Sequence, residues 1–272
     1  MTYQLIHGDC LEVLPTLQAG SIDAVITDPP YGTTACSWDT VIPFDAMWTA
    51  IKHVVKPSAA VVMFGSQPFT SALVMSNPQW FKYAWVWEKS LIGDAMNAKN
   101  KPMKKHEDIA VFSSGTTANG SDLRMVYHPQ GVKRIDKFQK NRYRLDGQAT
   151  FKPKRPSHGI GWQQEFTNYP YSILRFDNPQ YDSPHPTAKP VALLRYLIRT
   201  YTNPGDTVLD FTMGSGSTIV AAIMEGRNAI GIEIDKGYYD IACKRCAEAA
   251  AQPRLLDVEP TQPLATQAAL LD

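Results

Sequence analysis

Four consecutive residues, Asp28-Pro29-Pro30-Tyr31, carry side chains whose types and order could do chemistry. They follow residues 22–27, which read as a short buried strand. Each proline fixes its own φ and pushes the preceding residue out of the helical region, so the turn is stiff. The Asp28 carboxylate and the prolyl carbonyls are hydrogen-bond acceptors beside an aromatic ring. They lie at the carboxyl end of a strand, which is where α/β proteins bind ligands. This arrangement suits a flat group with an exocyclic amine. The alternative, from these residues alone, is a proline-rich turn with an Asp cap.

A second constellation comes late in the chain, where a strand over 207–210 precedes Gly214-Ser215-Gly216. A helix, a strand over 229–232 and Glu233 follow. The glycines let the backbone approach a ligand, and the acid can bind both ribose hydroxyls. Ile219 replaces the third glycine of the dinucleotide fingerprint, and no Gly-Lys-Ser/Thr follows, which excludes a phosphate-binding loop. A nucleoside without a pyrophosphate, such as S-adenosylmethionine, fits better.

Strand and helix patterns alternate along most of the chain, which favours an α/β fold with a parallel sheet covered by helices. Further strands are predicted at 3–6, 59–64, 83–87 and 109–112. The middle of the chain is polar, basic and broken by Gly and Pro, which indicates an insertion. We therefore expect a catalytic half over 1–112, a basic insertion over 113–184, a cofactor-binding half over 185–251 and a flexible tail over 252–272.

Charge is segregated, although the whole chain carries only +1. Residues 99–160 hold 14 Lys and Arg against 5 Asp and Glu, and the remainder holds 13 against 21. A basic segment of this kind is typical of a protein that meets a polyanion, and the alternative is a solvated basic face. The candidate contacts with a polyanion are Lys99, Lys101, Lys104, Lys105, Lys133, Arg134, Lys137, Lys140, Arg142 and Arg144.

Neither a membrane span nor a metal site is expected. The sequence has no run of 18 apolar residues and no basic, apolar start typical of a signal peptide, so a cytoplasmic protein is expected. Of the four cysteines, Cys243 and Cys246 form a Cys-x-x-Cys on a predicted helix, without a second pair to complete a zinc site.

Taken together, the motifs resemble those of the amino-group DNA methyltransferases. Asp-Pro-Pro-Tyr, Gly-Ser-Gly and the intervening residues His185-Pro186-Thr187-Ala188-Lys189-Pro190 carry the resemblance. The early Asp-Pro-Pro-Tyr and late glycine turn are similar to the order of the beta class. The resemblance covers roughly 3–112 and 183–248 and implies a Rossmann-like methyltransferase fold with a mostly parallel, seven-stranded sheet. It also implies that the basic insertion over 113–184 is a target-recognition region and that the candidate basic residues contact DNA. Because that order is circularly permuted, the N-terminal strand should lie beside the strand that ends at Glu233, with the chain ends close together.

The resemblance also implies roles for residues around the cofactor. The predicted lining of its methionine portion is Asp210, Gly214, Gly216 and Ser217. Asp9 would approach the adenine amine, and Lys189 would either pair with the methionine carboxylate or cap its helix. Members of the family often carry an aromatic residue two positions before the first glycine. Thr212 stands there in this chain and Phe211 is displaced by one, so Phe211 is either a cofactor contact or a core residue.

The implied activity is methyl transfer from S-adenosylmethionine to adenine N6 at a specific site in duplex DNA. The base would be flipped out of the helix, with Asp28 and the Pro29 carbonyl accepting its amine hydrogens. Stacking on Tyr31 would return ~1–3 kcal/mol. The alternatives are cytosine N4, for which family members often have Ser in place of Asp28, adenine in RNA, and a DNA-binding protein without catalysis. A homodimer is possible by resemblance, and residues 267–271 resemble a docking peptide for a sliding clamp or form a frayed terminus.

Overall fold

The structure, a computed structural model, describes residues 1–32, 39–140, 161–178 and 188–252. Its strands are β1 Tyr3–His7, β2 Ile22–Thr27, β3 Val55–Gly65, β4 Phe81–Gly93, β5 Lys104–Phe112, β6 Lys133–Lys140, β7 Gly161–Thr167, β8 Ile173–Phe176, β9 Thr207–Asp210 and β10 Asn228–Glu233. Its α-helices are α1 Cys10–Val13, α2 Phe44–Val54, α3 Phe69–Ser76, α4 Val191–Tyr201, α5 Ser217–Met224 and α6 Lys236–Ala251. The chain divides into two compact units, of which Pro129–Tyr171 is one and the remainder the other.

The larger unit is built on one sheet with the strand order β1-β10-β9-β2-β3-β5-β4-β8. The strand pairs β1–β10, β10–β9, β9–β2 and β2–β3 are parallel. Strand β5 is antiparallel to both β3 and β4, and β8 is parallel to β4. The central strands β2 and β3 are buried apolar runs, which is the pattern of strands covered on both faces. Two clusters of buried side chains accordingly pack on opposite faces of this sheet.

The predicted circular permutation is confirmed by strand pairing. Tyr3 pairs with Ala229 and His7 with Glu233, so the first strand of the chain extends the sheet beside its last strand. On the other side, Ala24 of β2 pairs with Val208 of β9. The catalytic and cofactor halves predicted from the sequence therefore form one continuous sheet.

Two details of the sheet differ from the prediction. It has eight strands within the described residues rather than seven, because Ile173–Phe176 pairs in parallel with the edge of β4. The β4–β5 hairpin also extends past the predicted strands 83–87 and 109–112. Its outer part pairs polar residues such as Glu88 and His106, so it lacks the apolar alternation that a sequence pattern can detect.

The smaller unit, Pro129–Tyr171, contains the antiparallel pair β6 and β7. The Phe138 ring packs across the strands on Gly161, where any Cβ atom would lie 2.0 Å from the ring. This unit lies inside the predicted insertion 113–184 and is shorter at both ends. Separately, no helix within the described ranges is long and apolar enough to cross a membrane.

Candidate active site

The carboxyl ends of β2 and β9 meet at the centre of the sheet, and hydrogen bonds join the two sequence motifs there. Thr27 Oγ1 donates to Asp210 Oδ1 at 2.7 Å, and Thr212 Oγ1 donates to the Asp28 carbonyl at 3.2 Å. A cavity of about 470 Å³ opens at this edge, within the usual size range of small-molecule sites. Its lining includes the predicted residues Asp9, Asp28, Pro29, Pro30, Tyr31, Lys189, Asp210, Phe211, Gly214, Ser217 and Glu233.

The Asp28-Pro29-Pro30-Tyr31 turn forms one wall of the cavity. The Tyr31 hydroxyl donates to Asp28 Oδ1, and its ring packs on Phe69 with 5.1 Å between centroids. Gly32, at φ 68°, donates its N–H to Asp39 Oδ1 at 2.8 Å and ends the turn. The aromatic ring and the carboxylate are thus held together by a direct contact that the sequence motif alone did not specify.

The Lys189 ammonium lies in a buried charge cluster beside this turn. It donates to Asp28 Oδ2 and lies 3.5 Å from Glu107 Oε2, while Glu107 Oε1 accepts from Lys89. The Lys189 side chain is only 7 % exposed. Lys189 was predicted to contact a cofactor carboxylate or to cap a helix, whereas the structure pairs it with two protein carboxylates.

Burial and charge act in opposite directions on these groups. Burial raises the pKa of Asp28, and Lys189 opposes that effect without cancelling it. Burial alone would raise the pKa of Glu107, but Lys189 and Lys89 outweigh it and lower the pKa. Burial alone would lower the pKa of Lys189, but the charges of Asp28 and Glu107 outweigh it and raise the pKa. Glu107 is therefore firmly anionic, and Asp28 is the more easily protonated carboxylate.

The glycine turn and Glu233 form the opposite wall. Glu233 Oε2 accepts the Gly214 N–H at 2.8 Å, and Oε1 accepts the Asp235 N–H at 2.8 Å. These two bonds fix the carboxylate at the end of β10 and leave its other lone pairs toward the cavity. Arg245 of α6 donates to the Ser215 carbonyl at 2.5 Å and to Ser217 Oγ at 3.1 Å, so it holds the turn from outside.

Gly216 serves packing rather than the cavity wall. It has φ 81°, and a Cβ there would lie 3.0 Å from the Ala242 Cβ of α6. The absence of a side chain lets α6 approach the turn.

Replacing Gly216 by alanine is expected to lower the free energy of unfolding more than Gly205→Ala does. Both glycines have φ above 80°, but a Cβ at Gly205 meets nothing within 4 Å among the described residues. The Gly205 variant therefore reports backbone strain alone, about 1–2 kcal/mol. Overpacking against Ala242 adds about 1–3 kcal/mol for Gly216→Ala. Urea unfolding of both variants measures the difference, and equal losses would contradict the packing argument.

Asp210 is a buried residue of the cavity lining. Besides Thr27, it accepts the Thr212 N–H at 3.2 Å. Burial raises its pKa from 3.8 to about 6, against the opposing hydrogen bonds from Thr218 and Thr27. The folded state therefore binds this proton more tightly than the unfolded chain does.

This pKa shift predicts a pH dependence of stability. Because the folded pKa is above the unfolded one, Asp210 stabilises the fold most at pH values below 4, and that contribution is lost as pH rises through about 6. The shift corresponds to ~3 kcal/mol. Asp210→Asn should reduce the decline in unfolding free energy between pH 4 and 7, measured by urea titration. A decline as steep as in the parent protein would show that other groups cause it.

Asp9 and Phe211 line the cavity but also have structural partners. Asp9 Oδ1 accepts the Leu11 N–H at 2.8 Å and caps α1. Phe211 is 1 % exposed and belongs to the apolar cluster on one face of the sheet, so of its two predicted roles the core is its main environment. The sequence predicted no role for Glu107 or Arg245, because their partners Lys189 and Ser215 are distant in the chain.

The predicted DNA-contacting residues fall in two places. Strand β5 runs antiparallel to β3 and β4, so it begins at the sheet edge where the cavity opens. Exposed Lys99, Lys101 and Lys105 lie there, with Lys101 paired to Asp94, Lys105 paired to Glu88, and half-buried Lys104 donating to Ser66 Oγ. In the smaller unit, Lys133, Arg134 and Lys137 are exposed and Lys140 ends β6. Arg142, Arg144, residues 185–187 and the predicted clamp-binding tail lie outside the described residues.

Comparisons with known proteins agree with this geometry. The chain is 27 % identical to the DNA adenine methyltransferase YhdJ of Escherichia coli over 260 residues, covering 89 % of this chain and 81 % of that one. The crystal structure of the M1.HpyAVI–SAM complex is 25 % identical with a TM-score of 0.59, covering 90 % of this chain and all of that one. The PvuII cytosine-N4-specific DNA methyltransferase shares the fold at 17 % identity, with a TM-score of 0.62 and coverage of 90 % and 86 %.

A protein-family model also matches most of the chain. The model of the family described as DNA methylase, N6_N4_Mtase, matches residues 22–244, which include both motifs and everything between them. The predicted relationship to the amino-group DNA methyltransferases and the predicted Rossmann-like fold are thereby confirmed. This chain belongs to the N6/N4 DNA methylase family.

Proposed function

We propose that this protein transfers a methyl group from S-adenosylmethionine to adenine N6 at a specific site in duplex DNA. The observation that carries the proposal is the single cavity shared by Asp28 and Glu233. A carboxylate suited to an amine and a carboxylate suited to a ribose occupy its opposite walls. The similarity to YhdJ, named as an adenine enzyme, supports adenine as the target.

The cavity residues fit S-adenosylmethionine. The Glu233 carboxylate is held by two backbone N–H groups and would accept hydrogen bonds from the ribose hydroxyls. The Asp9 carboxylate would accept a hydrogen bond from the adenine amine. Gly214 and Ser217 would border the methionine portion, together with the buried Asp210. When bound, S-adenosylmethionine supplies an electrophilic methyl group. Lys189 is better assigned to the methyl-acceptor side, because its ammonium already neutralises Asp28 and Glu107.

Asp28 would activate the substrate amine without a covalent intermediate. Its carboxylate and the Pro29 carbonyl accept the two N–H bonds of a flipped base, which localises the nitrogen lone pair. Asp28 then holds the proton that the methylated nitrogen loses. Tyr31 keeps the carboxylate in place through its hydroxyl and offers its ring to the base. Positioning and electrostatics therefore supply most of the rate.

DNA affinity would come from the basic residues of the β4–β5 hairpin and the smaller unit. Lys99, Lys101 and Lys105 extend beyond the cavity edge, where phosphates of a duplex with a flipped base would pass. Contacts of this kind release counterions, so affinity should fall steeply with salt concentration. Base recognition is assigned to the smaller unit, Pro129–Tyr171.

Methylation of a random duplex DNA pool with labelled S-adenosylmethionine tests the proposal. Nucleoside chromatography of the product should give N6-methyladenine in one sequence context. N4-methylcytosine would instead establish the activity named for the PvuII enzyme, whose fold this chain shares. Cofactor binding without any methylated product would indicate a DNA-binding protein that has lost catalysis.

A further inference from the structure

Glu107 lies beside the catalytic turn and contributes to the cavity wall, although the sequence predicted no role for it. It is on β5, with its side chain 12 % exposed and lying between two lysines. Its Oε1 accepts from Lys89. Its Oε2 is buried, lies 3.5 Å from Lys189 Nζ, and accepts no hydrogen bond among the described residues. A buried acceptor is therefore left available within reach of an ammonium group.

Asp28 shows the opposite situation. Tyr31 donates to one of its oxygens and Lys189 to the other. A substrate amine that needs this carboxylate must compete with the Lys189 ammonium. Moving that charge away from Asp28 is costly unless a second anion receives it in the same buried space.

We propose that Glu107 is a positioning residue that receives the Lys189 ammonium when the substrate amine engages Asp28. Lys189 moves from Asp28 Oδ2 toward Glu107 Oε2, which exchanges one charge-assisted hydrogen bond for another. Lys89 holds the other oxygen of Glu107 and keeps the acceptor in place. This inference rests on the proposed function, because it requires an amine substrate at Asp28.

The charges around the cluster support this exchange. The groups that face Asp28 are Lys189, Tyr31, Glu107 and the more distant Asp210. Those that face Glu107 are Asp28, Lys189, Lys89 and Lys104. The lysines lower the pKa of Glu107, so it is anionic before the substrate arrives. The Glu107 charge in turn raises the pKa of Asp28, in addition to the larger effect of burial.

The test compares Glu107→Gln with Glu225→Gln in steady-state methylation of the mapped DNA site. Glu225 is a matched control, since it is 10 % exposed and paired with two cations, Arg195 and Arg199, on α4. Glu107→Gln should lower kcat at least about tenfold, because the glutamine cannot receive the ammonium as an anion. The acidic limb of the kcat–pH profile of this variant should move to lower pH, because Asp28 loses the neighbouring charge of Glu107 and keeps Lys189. Glu225→Gln should keep both the parent kcat and the parent limb.

Several results would overturn the proposal. One is an unchanged kcat in Glu107→Gln. Another is a lower kcat with an unmoved acidic limb, because a purely structural role for Glu107 would give that result. Should Glu107→Gln not fold, Glu107→Asp retains the charge but shortens its reach toward Lys189. That variant should lose kcat with the limb unmoved, and a parent kcat would again contradict the proposal. Failure of the proposed function is distinct, since the parent protein itself would then methylate no amine.

Discussion

Replacing Asp28 by asparagine is expected to lower methyl transfer by about 100- to 1000-fold, the usual cost of removing one electrostatic group from an active site. The amide keeps the shape of the side chain, but it cannot hold the proton that the amine loses. Lys189 retains Glu107 as a partner in this variant, so the fold should persist. The measurement is the initial rate of label transfer at saturating cofactor and DNA.

The affinity for S-adenosylmethionine, measured by calorimetry, is the internal control for Asp28→Asn. It should change little, because Glu233 and the glycine turn lie on the opposite cavity wall. Asp45→Asn, an exposed residue in the first turn of α2, should leave both rate and affinity unchanged. An Asp28→Asn protein with the parent rate would remove Asp28 from the reaction.

Replacing Lys189 by methionine is expected to abolish activity and to lower the free energy of unfolding by about 3–5 kcal/mol at pH 8. The substitution keeps an unbranched, flexible side chain but removes the cation shared by Asp28 and Glu107. Two buried carboxylates then face each other, with Lys89 as the remaining lysine in hydrogen-bond contact with the pair. One of them must bind a proton at a pH well above its ordinary pKa.

The pH dependence of this loss has a definite sign. In the variant, burial raises the folded-state pKa of Asp28, and no Lys189 charge opposes it. A carboxylate whose folded pKa is raised stabilises the fold at low pH and loses that contribution as pH rises. The stability deficit of Lys189→Met should therefore be smaller at pH 5 than at pH 8 in urea unfolding. An equal deficit at both values would mean that lost packing, rather than charge, accounts for it.

Much of the fold was predictable because its signals are local. The strand before Asp28 and the glycine turn after β9 are short patterns of neighbouring residues, and both lie where the sequence placed them. The order of these motifs predicted that β1 would join β10, which the pairing of Tyr3 with Ala229 confirms. The polar outer part of the β4–β5 hairpin was missed, since its pairing depends on cross-strand partners rather than on a periodic pattern.

The sequence by itself determined the family, most of the sheet and the two motifs that form the cavity walls, because each depends on residue types at short spacing. Only the tertiary structure decided that Lys189 contacts Asp28 and Glu107 rather than a cofactor carboxylate or its own helix end. These three residues come from β5 and from loops beside β2 and α4, far apart in the chain. Whether a buried charge has a partner depends on where such segments meet in space, and the pKa of each group depends on that meeting.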